Sequence, residues 1–264
     1  MAMQPQKSAQ SDERWHKLLT EGHRRLRVAH FLFRHLPSPP RCKLCHNPFG
    51  GMGGKLIGLA GYKPSRKNPN LCNRCCDVLP LGGAEVDIAI LFADVRGSTT
   101  LGERLEPRAY AAVLSRYYRI ATEILIRHDA IIDKLIGDEV MALFIPGICG
   151  SQYRRRATEA ALALLRAMRD QGPADPQVLI GASVNSGIAY VGNVGTEGVT
   201  DFTALGDTVN TAARLASSAA AGEILLTEPV YAAVAERFPN LERRDLPLRG
   251  KQSPVTVRVL REPS

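Results

Sequence analysis

The sequence predicts an α+β fold with a ferredoxin-like βαββαβ arrangement over residues 84–262. Three observations lead to this prediction. From Ala84 onward, strand-like and helix-like segments alternate to the end of the chain. A cysteine-rich segment precedes them at residues 41–80, and an amphipathic helical pattern lies within residues 1–40. With 264 residues, 45% of them hydrophobic, the chain can form one large core and a small appendage.

The first element is an N-terminal amphipathic helix over Glu13–His35, which Pro37 ends. Its apolar stripe contains Trp15 and Leu19 and is flanked by four arginines: Arg24, Arg25, Arg27 and Arg34. Packing on the folded domain or pairing with a second copy is favoured, because globular contact is the commonest fate of such a stripe. Peripheral contact with a membrane surface is the alternative.

Charge is concentrated in the N-terminal part of the chain. Residues 1–80 contain 14 basic and 4 acidic side chains, whereas the remainder contains 20 and 22. A basic segment of this kind can bind acidic lipid or nucleic acid. A solvated basic segment without a partner is favoured, and a nucleic-acid partner is not expected.

Composition also bears on the compartment. No apolar run reaches the ~18 residues that a membrane-spanning helix requires. The polar stretch Met1–Asp12 lacks the apolar core of a signal peptide. Six cysteines without such a signal indicate reduced thiols or metal ligands and not disulfides. A cytoplasmic protein is therefore expected.

The cysteine-rich segment contains two C-x-x-C pairs. Cys42 and Cys45 form the first, Cys72 and Cys75 form the second, and 26 residues separate the two pairs. Four thiolates in two such turns predict a tetrahedral metal site, with structural Zn²⁺ as the first interpretation. Cys76 directly follows the second pair, and an iron–sulfur cluster is the alternative. The intervening loop is rich in glycine and shows little regular periodicity.

The remaining elements follow in an order typical of a βαββαβ domain. They are a strand at 86–94, a helix or broken helix at 98–128, a hairpin at 130–145, a helix at 152–171, strands through 178–203 and a helix at 207–218. Asp94 closes the apolar run of the first strand, and Asp138 lies in the Gly137-Asp138 turn of the hairpin. These two carboxylates predict a magnesium site suited to a triphosphate.

Three stretches of this region resemble the class III adenylate/guanylate cyclase family. They read LFADVRGST at residues 91–99, KLIGDEVMA at residues 134–142 and LGDTVNTAARL at residues 205–215. The resemblance covers about residues 84–262, and it implies a class III nucleotidyl cyclase domain.

The resemblance implies two Mg²⁺ or Mn²⁺ ions per active site, held by Asp94, Asp138 and the backbone of Val95. It also implies that a helix start binds phosphate oxygens through its backbone N–H groups, at Gly97, Ser98 and Thr99. An ordinary N-cap by Ser98 or Thr99 is the alternative for this helix start.

Asn210 and Arg214 are four residues apart and therefore project from one face of a helix. The resemblance makes them the transition-state pair, in which Asn210 orients the ribose and Arg214 neutralises charge on the α-phosphate. It makes Lys251 a contact to the terminal phosphates. A solvated turn is the alternative for Lys251.

Base selection is assigned by the same resemblance to Lys134 and Thr203. Lys134 would bind the ring nitrogen of adenine, whereas guanine-specific members carry an acidic residue at that position. Thr203 lies seven residues before Asn210 and would meet the amino group of adenine. A threonine there, where many members have aspartate, places the chain with the Thr-containing adenylyl subgroup.

The resemblance therefore implies an adenylate cyclase that converts ATP to 3′,5′-cyclic AMP and diphosphate at a homodimer interface. One subunit would supply the metal carboxylates, and the other Lys134, Thr203, Asn210 and Arg214. A guanylate cyclase is one alternative, and a catalytically silent cyclase-like regulatory or zinc-binding interaction protein is the other. A diguanylate cyclase is disfavoured because that family has no counterpart of Lys134 or of the Asn210/Arg214 pair.

Overall fold

The computed structural model describes residues 5–21, 40–65 apart from residues 44 and 46, 69–76, 81–171, 176–196 and 199–262. Its helices are α1 (Pro5–Glu21), α2 (Gly51–Leu59), α3 (Asn73–Cys76), α4 (Ser98–Arg104), α5 (Pro107–Arg127), α6 (Pro146–Cys149), α7 (Tyr153–Arg169), α8 (Asp207–Ser218) and α9 (Glu228–Ala232). Its strands are β1 (Gly82–Val95), β2 (Ile131–Ile136), β3 (Glu139–Phe144), β4 (Ile180–Thr196), β5 (Val199–Leu205), β6 (Glu223–Thr227), β7 (Glu242–Leu246) and β8 (Val255–Arg261).

One open mixed sheet organises the chain. The strand order is β2-β3-β1-β4-β6-β8-β7, and β5 pairs with β4 as a hairpin. Strand β1 is antiparallel to both β3 and β4, while β4 and β6 are parallel. Strands β1 to β4 and the helices α5 and α7 form the βαββαβ unit, so the predicted α+β fold is confirmed. The break between α4 and α5 also agrees with the predicted broken helix.

Strand β1 is buried on both faces. Ala89 and Leu91 pack into a core that also contains Tyr117 of α5 and Leu164 of α7. Ile88, Ile90 and Phe92 point to the opposite face, where α1, the cysteine-rich segment and α8 cover the sheet. Burial on both sides explains why residues 88–93 of β1 form an unbroken apolar run and not an alternating pattern.

Helix α1 packs on the sheet, in agreement with the favoured role. Trp15 and Leu19 are buried, and the Trp15 ring stacks on Phe202 with centroids 6.4 Å apart. A side chain at Gly147 would collide with the α1 backbone, because its Cβ would lie 2.7 Å from the Leu18 carbonyl oxygen. The helix begins at Pro5, earlier than predicted. Residues 22–39, which include the four flanking arginines, lie outside the described residues.

Helix α2 was not anticipated from the glycine-rich loop between the cysteine pairs. Gly54 allows this helix to approach the preceding backbone, since a Cβ there would stand 2.5 Å from the Phe49 carbonyl carbon. Met52, Leu56 and Leu59 on α2 are exposed. Among the described residues, no helix combines the length and apolar composition needed to cross a bilayer.

Candidate active site

The pairing of β1 with β3 brings Asp94 beside the β2–β3 turn. Asp94 lies opposite Glu139 in the strand register, and the Val95 N–H donates to the Asp138 carbonyl oxygen at 3.2 Å. Helix α5 fixes both sides of this junction. The Tyr117 hydroxyl donates to the Ala93 carbonyl at 2.7 Å, and the neighbouring Tyr118 hydroxyl donates to the carbonyl of Gly137 in the turn. The two predicted carboxylates therefore meet at the end of β1.

Negative charge is crowded at this junction. Burial, together with the contact and charge of Asp138, raises the pKa of Asp94 to about 6. Burial and the same two aspartates raise the pKa of Glu139 to about 7. The Arg96 guanidinium pairs with Asp94 and partly opposes both shifts. Clustered carboxylate oxygens in a partly buried pocket are the ligand set that Mg²⁺ and Mn²⁺ prefer.

Arg96 also connects this junction to the end of α8. Its Nη1 donates to the carbonyl oxygens of Ser217 at 3.1 Å and Ala219 at 3.2 Å. Arg96 and Glu139 are site residues that were not predicted from the sequence. Their only sequence signal is adjacency to the two aspartates in the stretches that resemble the cyclase family.

The start of α4 presents backbone N–H groups near the Asp94 junction. The helix begins at Ser98, and its N-cap is Gly97 in the left-handed conformation, with φ 73°. Within the part of the chain that the structure describes, no side chain caps this helix. An N-cap by Ser98 or Thr99 is therefore wrong, because both residues lie inside the first turn. Their N–H groups, uncapped by any described side chain, can bind an anion.

Lys134 and Thr203 are in direct contact, although 69 residues separate them. The Lys134 ammonium donates to the Thr203 hydroxyl at 2.9 Å. It also donates to the carboxylates of Asp201 at 2.8 Å and Asp133 at 3.1 Å. The Thr203 hydroxyl in turn donates to Asp133 at 2.7 Å. Strand β2 supplies Asp133 and Lys134, and β5 supplies Asp201 and Thr203.

In the Lys134–Thr203 cluster, the positive charge of Lys134 is balanced by the carboxylates of Asp133 and Asp201. Burial acts to lower the pKa of Lys134, but the bond to Asp201 and the charge of Asp133 outweigh it, so the pKa is raised. Lys134 is therefore a stable cation at neutral pH. Asp133 and Asp201 were not predicted from the sequence, because they come together only when β2 meets β5.

Asn210 and Arg214 share a face of α8, and the turn that contains Lys251 packs on this helix. Asn210 is exposed, and Arg214 is partly buried. The Arg214 guanidinium lies against Gly250, where a Cβ would stand 3.5 Å from Nη1. Lys251 forms an ion pair with Asp207 in the first turn of α8. Lys251, predicted to contact the terminal phosphates, thus lies near Arg214.

The predicted residues form three groups in one chain: Asp94 with Asp138, Lys134 with Thr203, and the α8 face with Lys251. Lys134 and Asp138 belong to one hairpin but are four residues apart, up to about 13 Å along an extended strand. No hydrogen bond or ion pair described above joins the Asp94–Asp138 group to the Lys134–Thr203 group. Arg96, which pairs with Asp94, does reach the carbonyl oxygens at the end of α8.

The four predicted cysteine ligands also converge. The sulfur atoms of Cys42, Cys45, Cys72 and Cys75 all lie within 4.8 Å of one another. The N–H groups of Cys45 and Cys72 donate to the Cys42 sulfur at 3.4 and 3.2 Å. Hydrogen bonds from the other three cysteines hold the pKa of Cys42 well below its usual range. The side chain of Cys76 lies outside the described residues.

The distances fit a single metal ion. Tetrahedral zinc–sulfur bonds of about 2.3 Å place ligand sulfurs roughly 3.8 Å apart. The sulfurs of Cys45 and Cys72 are 3.5 Å apart, which suits this geometry. A cluster of several iron atoms would need a wider arrangement.

The cysteine-rich segment is attached to the turn between α5 and β2. Asp129 in this turn is buried and pairs with both Lys43 and Arg156. The Asn70 amide donates to the Ile126 carbonyl at 2.6 Å. Cys149 is separate from the metal-type cluster: its thiol donates to the Asp129 carbonyl, and burial raises its pKa to about 12.

Comparisons with a family model, with related sequences and with solved structures all point to one family. The family model for the adenylate and guanylate cyclase catalytic domain matches residues 84–261. An uncharacterized protein of Mycobacterium tuberculosis is 32% identical over 185 residues, which are 68% of this chain and 34% of that protein. Adenylate cyclase 1 of Rhizobium meliloti is 31% identical over 134 residues, covering 49% of this chain and 20% of the relative. The chain thus spans about a third or less of the length of these relatives.

Solved structures of both substrate classes are similar. The adenylyl cyclase CyaB from P. aeruginosa is 30% identical, with a TM-score of 0.59, over 68% of this chain and 96% of that one. The guanylyl cyclase Cya2 is 27% identical, with a TM-score of 0.64, over 68% and 93%. Similarity to both classes leaves the choice of base to the residues of this chain.

Removal of the Asp138 charge should stabilise the cation-free protein. We expect Asp138→Asn to raise the free energy of unfolding by about 1 kcal/mol at pH 7.5 in EDTA. The Asp138 charge helps to raise the pKa values of Asp94 and Glu139, and a carboxylate with a raised pKa opposes folding above that pKa. Urea denaturation measures the change. The matched control is the exposed Asp170→Asn, which should change it by less than about 0.5 kcal/mol. Destabilisation by Asp138→Asn would contradict carboxylate crowding.

Proposed function

This chain belongs to the adenylate and guanylate cyclase family, and we propose that it converts ATP to 3′,5′-cyclic AMP and diphosphate. The observation that carries the proposal is the meeting of Asp94 and Asp138 at the buried end of β1. Two crowded carboxylates beside the start of α4, which no described side chain caps, suit a triphosphate and its divalent cations.

In this reaction the ribose 3′ oxygen attacks the α-phosphorus of ATP. The new bond joins the 3′ oxygen to that phosphorus, and the bond to the bridging oxygen of the β-phosphate breaks to release diphosphate. The 3′ hydroxyl proton is lost to solvent. The protein mainly has to position the two reacting atoms and stabilise the charge that develops on the phosphate oxygens.

Asp94, Asp138 and the carbonyl of Val95 would hold two Mg²⁺ or Mn²⁺ ions. Bound there, the cations would supply Lewis-acid stabilisation of the attacking oxygen and the triphosphate. The chain's own contribution is to hold these oxygens in place through the β1–β3 register and the two tyrosine hydrogen bonds from α5.

The remaining groups supply positive charge and hydrogen-bond donors. The N–H groups of Gly97, Ser98 and Thr99 at the start of α4 would bind phosphate oxygens. Arg214 would neutralise the α-phosphate, and Asn210, four residues earlier on the same helix face, would orient the ribose. Lys251 would reach the terminal phosphates; its present partner is the exposed Asp207.

The choice of ATP over GTP is supported by the Lys134–Thr203 cluster. Lys134 is a cation with a raised pKa, so it can donate to a ring nitrogen of adenine but cannot accept from the ring N–H of guanine. Thr203 is buried beside it and can hydrogen-bond the exocyclic group of the base.

A homodimer is supported by the separation of the groups and by exposed apolar side chains. Each chain carries the carboxylates and the base cluster as separate groups. Ile136 and Leu205 lie two residues from Lys134 and Thr203 along their strands and are 59% and 47% exposed, and Ile188 of β4 is 59% exposed. Large exposed apolar side chains of this kind indicate a protein interface. Two chains related by a two-fold axis would form two identical sites.

The cysteine cluster would hold one structural Zn²⁺. The sulfur distances fit a single tetrahedral ion, and the N–H donors to Cys42 stabilise its thiolate. The ion would fix the segment that attaches through Lys43 and Asn70 to the α5–β2 turn.

Product formation tests the proposed reaction. Purified protein incubated with ATP and Mn²⁺ or Mg²⁺ should form cyclic AMP and diphosphate, as measured by chromatography and mass spectrometry. Asp138→Asn, Asn210→Ala and Arg214→Ala should each lower kcat by roughly a hundredfold or more, while Asp170→Asn retains it. Undiminished activity of Asp138→Asn would sink the mechanism, and cyclic GMP as the main product would favour the guanylate cyclase alternative.

Metal analysis tests the zinc proposal. Protein purified without oxygen should contain about one Zn²⁺ per chain and be colourless. Cys72→Ser should lose the metal, whereas Cys149→Ser, the matched control outside the cluster, should keep it. Iron and sulfide with visible absorption would instead identify an iron–sulfur cluster.

A further inference from the structure

The hydrogen bonds around Thr203 have a fixed direction. Its hydroxyl lies 2.7 Å from an oxygen of Asp133 and 2.9 Å from the Lys134 ammonium. An ammonium group can only donate, and a carboxylate paired with it can only accept. The single hydroxyl hydrogen of Thr203 must therefore point to Asp133. The Ala204 carbonyl, at 3.5 Å, is too distant to compete for it.

This direction is enforced by burial. The Asp133 side chain is fully buried, and Thr203 is only 6% exposed. Inside a protein, an unpaired carboxylate oxygen costs more than the hydrogen bond that satisfies it is worth. The Thr203 hydrogen is thus held by a group that cannot move to water. One lone pair of the Thr203 oxygen accepts from Lys134, and the other remains for the base. Toward the base, the Thr203 hydroxyl can therefore only accept a hydrogen bond.

We propose that Asp133 determines base specificity by fixing Thr203 as a hydrogen-bond acceptor. An acceptor matches the exocyclic amino group of adenine and opposes the carbonyl oxygen that guanine carries at the same position. The inference rests on the proposed function, and it names the residue that sets the polarity of the base pocket. Asp133 acts through Thr203 and is therefore a positioning residue.

Asp201 has a different part in this cluster. The three hydrogens of the Lys134 ammonium meet Asp133, Thr203 and Asp201. The Asp201 side chain is 43% exposed, whereas that of Asp133 is fully buried. Asp201 can therefore turn to solvent, which frees the Lys134 hydrogen that it accepts to bind a ring nitrogen of the base. It contacts Lys134 but does not set the direction of the Thr203 hydrogen.

Asp133→Asn should reverse the polarity of Thr203. In this variant, the Lys134 ammonium attracts the side-chain oxygen of the introduced asparagine. The side-chain nitrogen of that asparagine then faces Thr203. The Thr203 hydroxyl then accepts from both neighbours and directs its hydrogen toward the base. We expect the ratio of kcat/KM for ATP to that for GTP to fall about tenfold, the size of one hydrogen bond gained or lost. Steady-state rates with both nucleotides measure this ratio.

Matched variants separate the effect of the Thr203 hydrogen-bond direction from a general structural effect of changing the cluster. Asp201→Asn makes the same carboxylate-to-amide change in the same cluster and should leave the ratio within about twofold, even if KM rises. Thr203→Ser keeps the hydroxyl and should keep the ratio, whereas the isosteric Thr203→Val should lower it. If Asp133→Asn does not fold, these two Thr203 variants test whether the Thr203 hydroxyl selects the base as a hydrogen-bond acceptor. An unchanged ratio in folded Asp133→Asn or in Thr203→Val would overturn the proposal.

Binding of 3′-deoxy-ATP and 3′-deoxy-GTP distinguishes this inference from the proposed function, because these nucleotides lack the attacking oxygen. In one outcome, the wild-type protein binds 3′-deoxy-ATP more tightly than 3′-deoxy-GTP, the Asp133→Asn variant does not, and the wild-type protein forms no cyclic nucleotide from ATP. This outcome would refute the reaction and support the inference. In the other outcome, the wild-type protein cyclises ATP, and the Asp133→Asn variant keeps the wild-type preference for 3′-deoxy-ATP. This outcome would refute the inference alone.

Discussion

The register between β1 and β3 is the constraint on which the site depends. Asp94 lies opposite Glu139, so the end of one strand meets the turn that begins the other, and Asp138 arrives beside Asp94. A one-residue slip would turn Asp94 to the opposite face of the sheet. Such a slip is costly because β1 is buried on both faces and pairs along its whole length with β4. The apolar core therefore fixes two carboxylates in a position that they would not adopt by their own electrostatics.

The two polar clusters differ in how their charges are balanced. Around Asp94 three carboxylates meet one guanidinium, and the pKa values of Asp94 and Glu139 rise to about 6 and about 7. Such a site is unfavourable to folding and gains from a bound cation. Around Lys134 the ammonium, two carboxylates and a hydroxyl satisfy one another. The first cluster is suited to attract cations, and the second to keep a fixed pattern of donors and acceptors. This contrast is what the proposed division of labour between cation binding and base selection requires.

Much of the fold and part of the site could be predicted from the sequence, for identifiable physical reasons. The apolar run before Asp94 and the Gly137-Asp138 turn are local signals, and antiparallel pairing of β1 with β3 then brings the two carboxylates together. The C-x-x-C pairs are equally local. Asp133 and Asp201 could not be found in this way, because their roles depend on contact between β2 and β5, whose residues are about 70 positions apart. Helix α2 was missed because its glycines suggest a loop, although Gly54 serves close packing against Phe49. The roles of Asn210, Arg214 and Lys251 rest on the family resemblance together with their common location on and beside α8.

Complementation between two inactive variants tests most directly whether the active site is shared between two chains. Asp138→Ala removes the carboxylate half of a site, and Arg214→Ala removes the α8 half. In a mixed dimer one site receives both defects and the other receives neither. Coexpression of the two chains, with cyclic AMP formation measured against wild type, should restore about a quarter of the activity, since roughly half of the dimers are mixed and each has one intact site. A mixture as inactive as its components, although mixed dimers form, would contradict a site assembled from two chains.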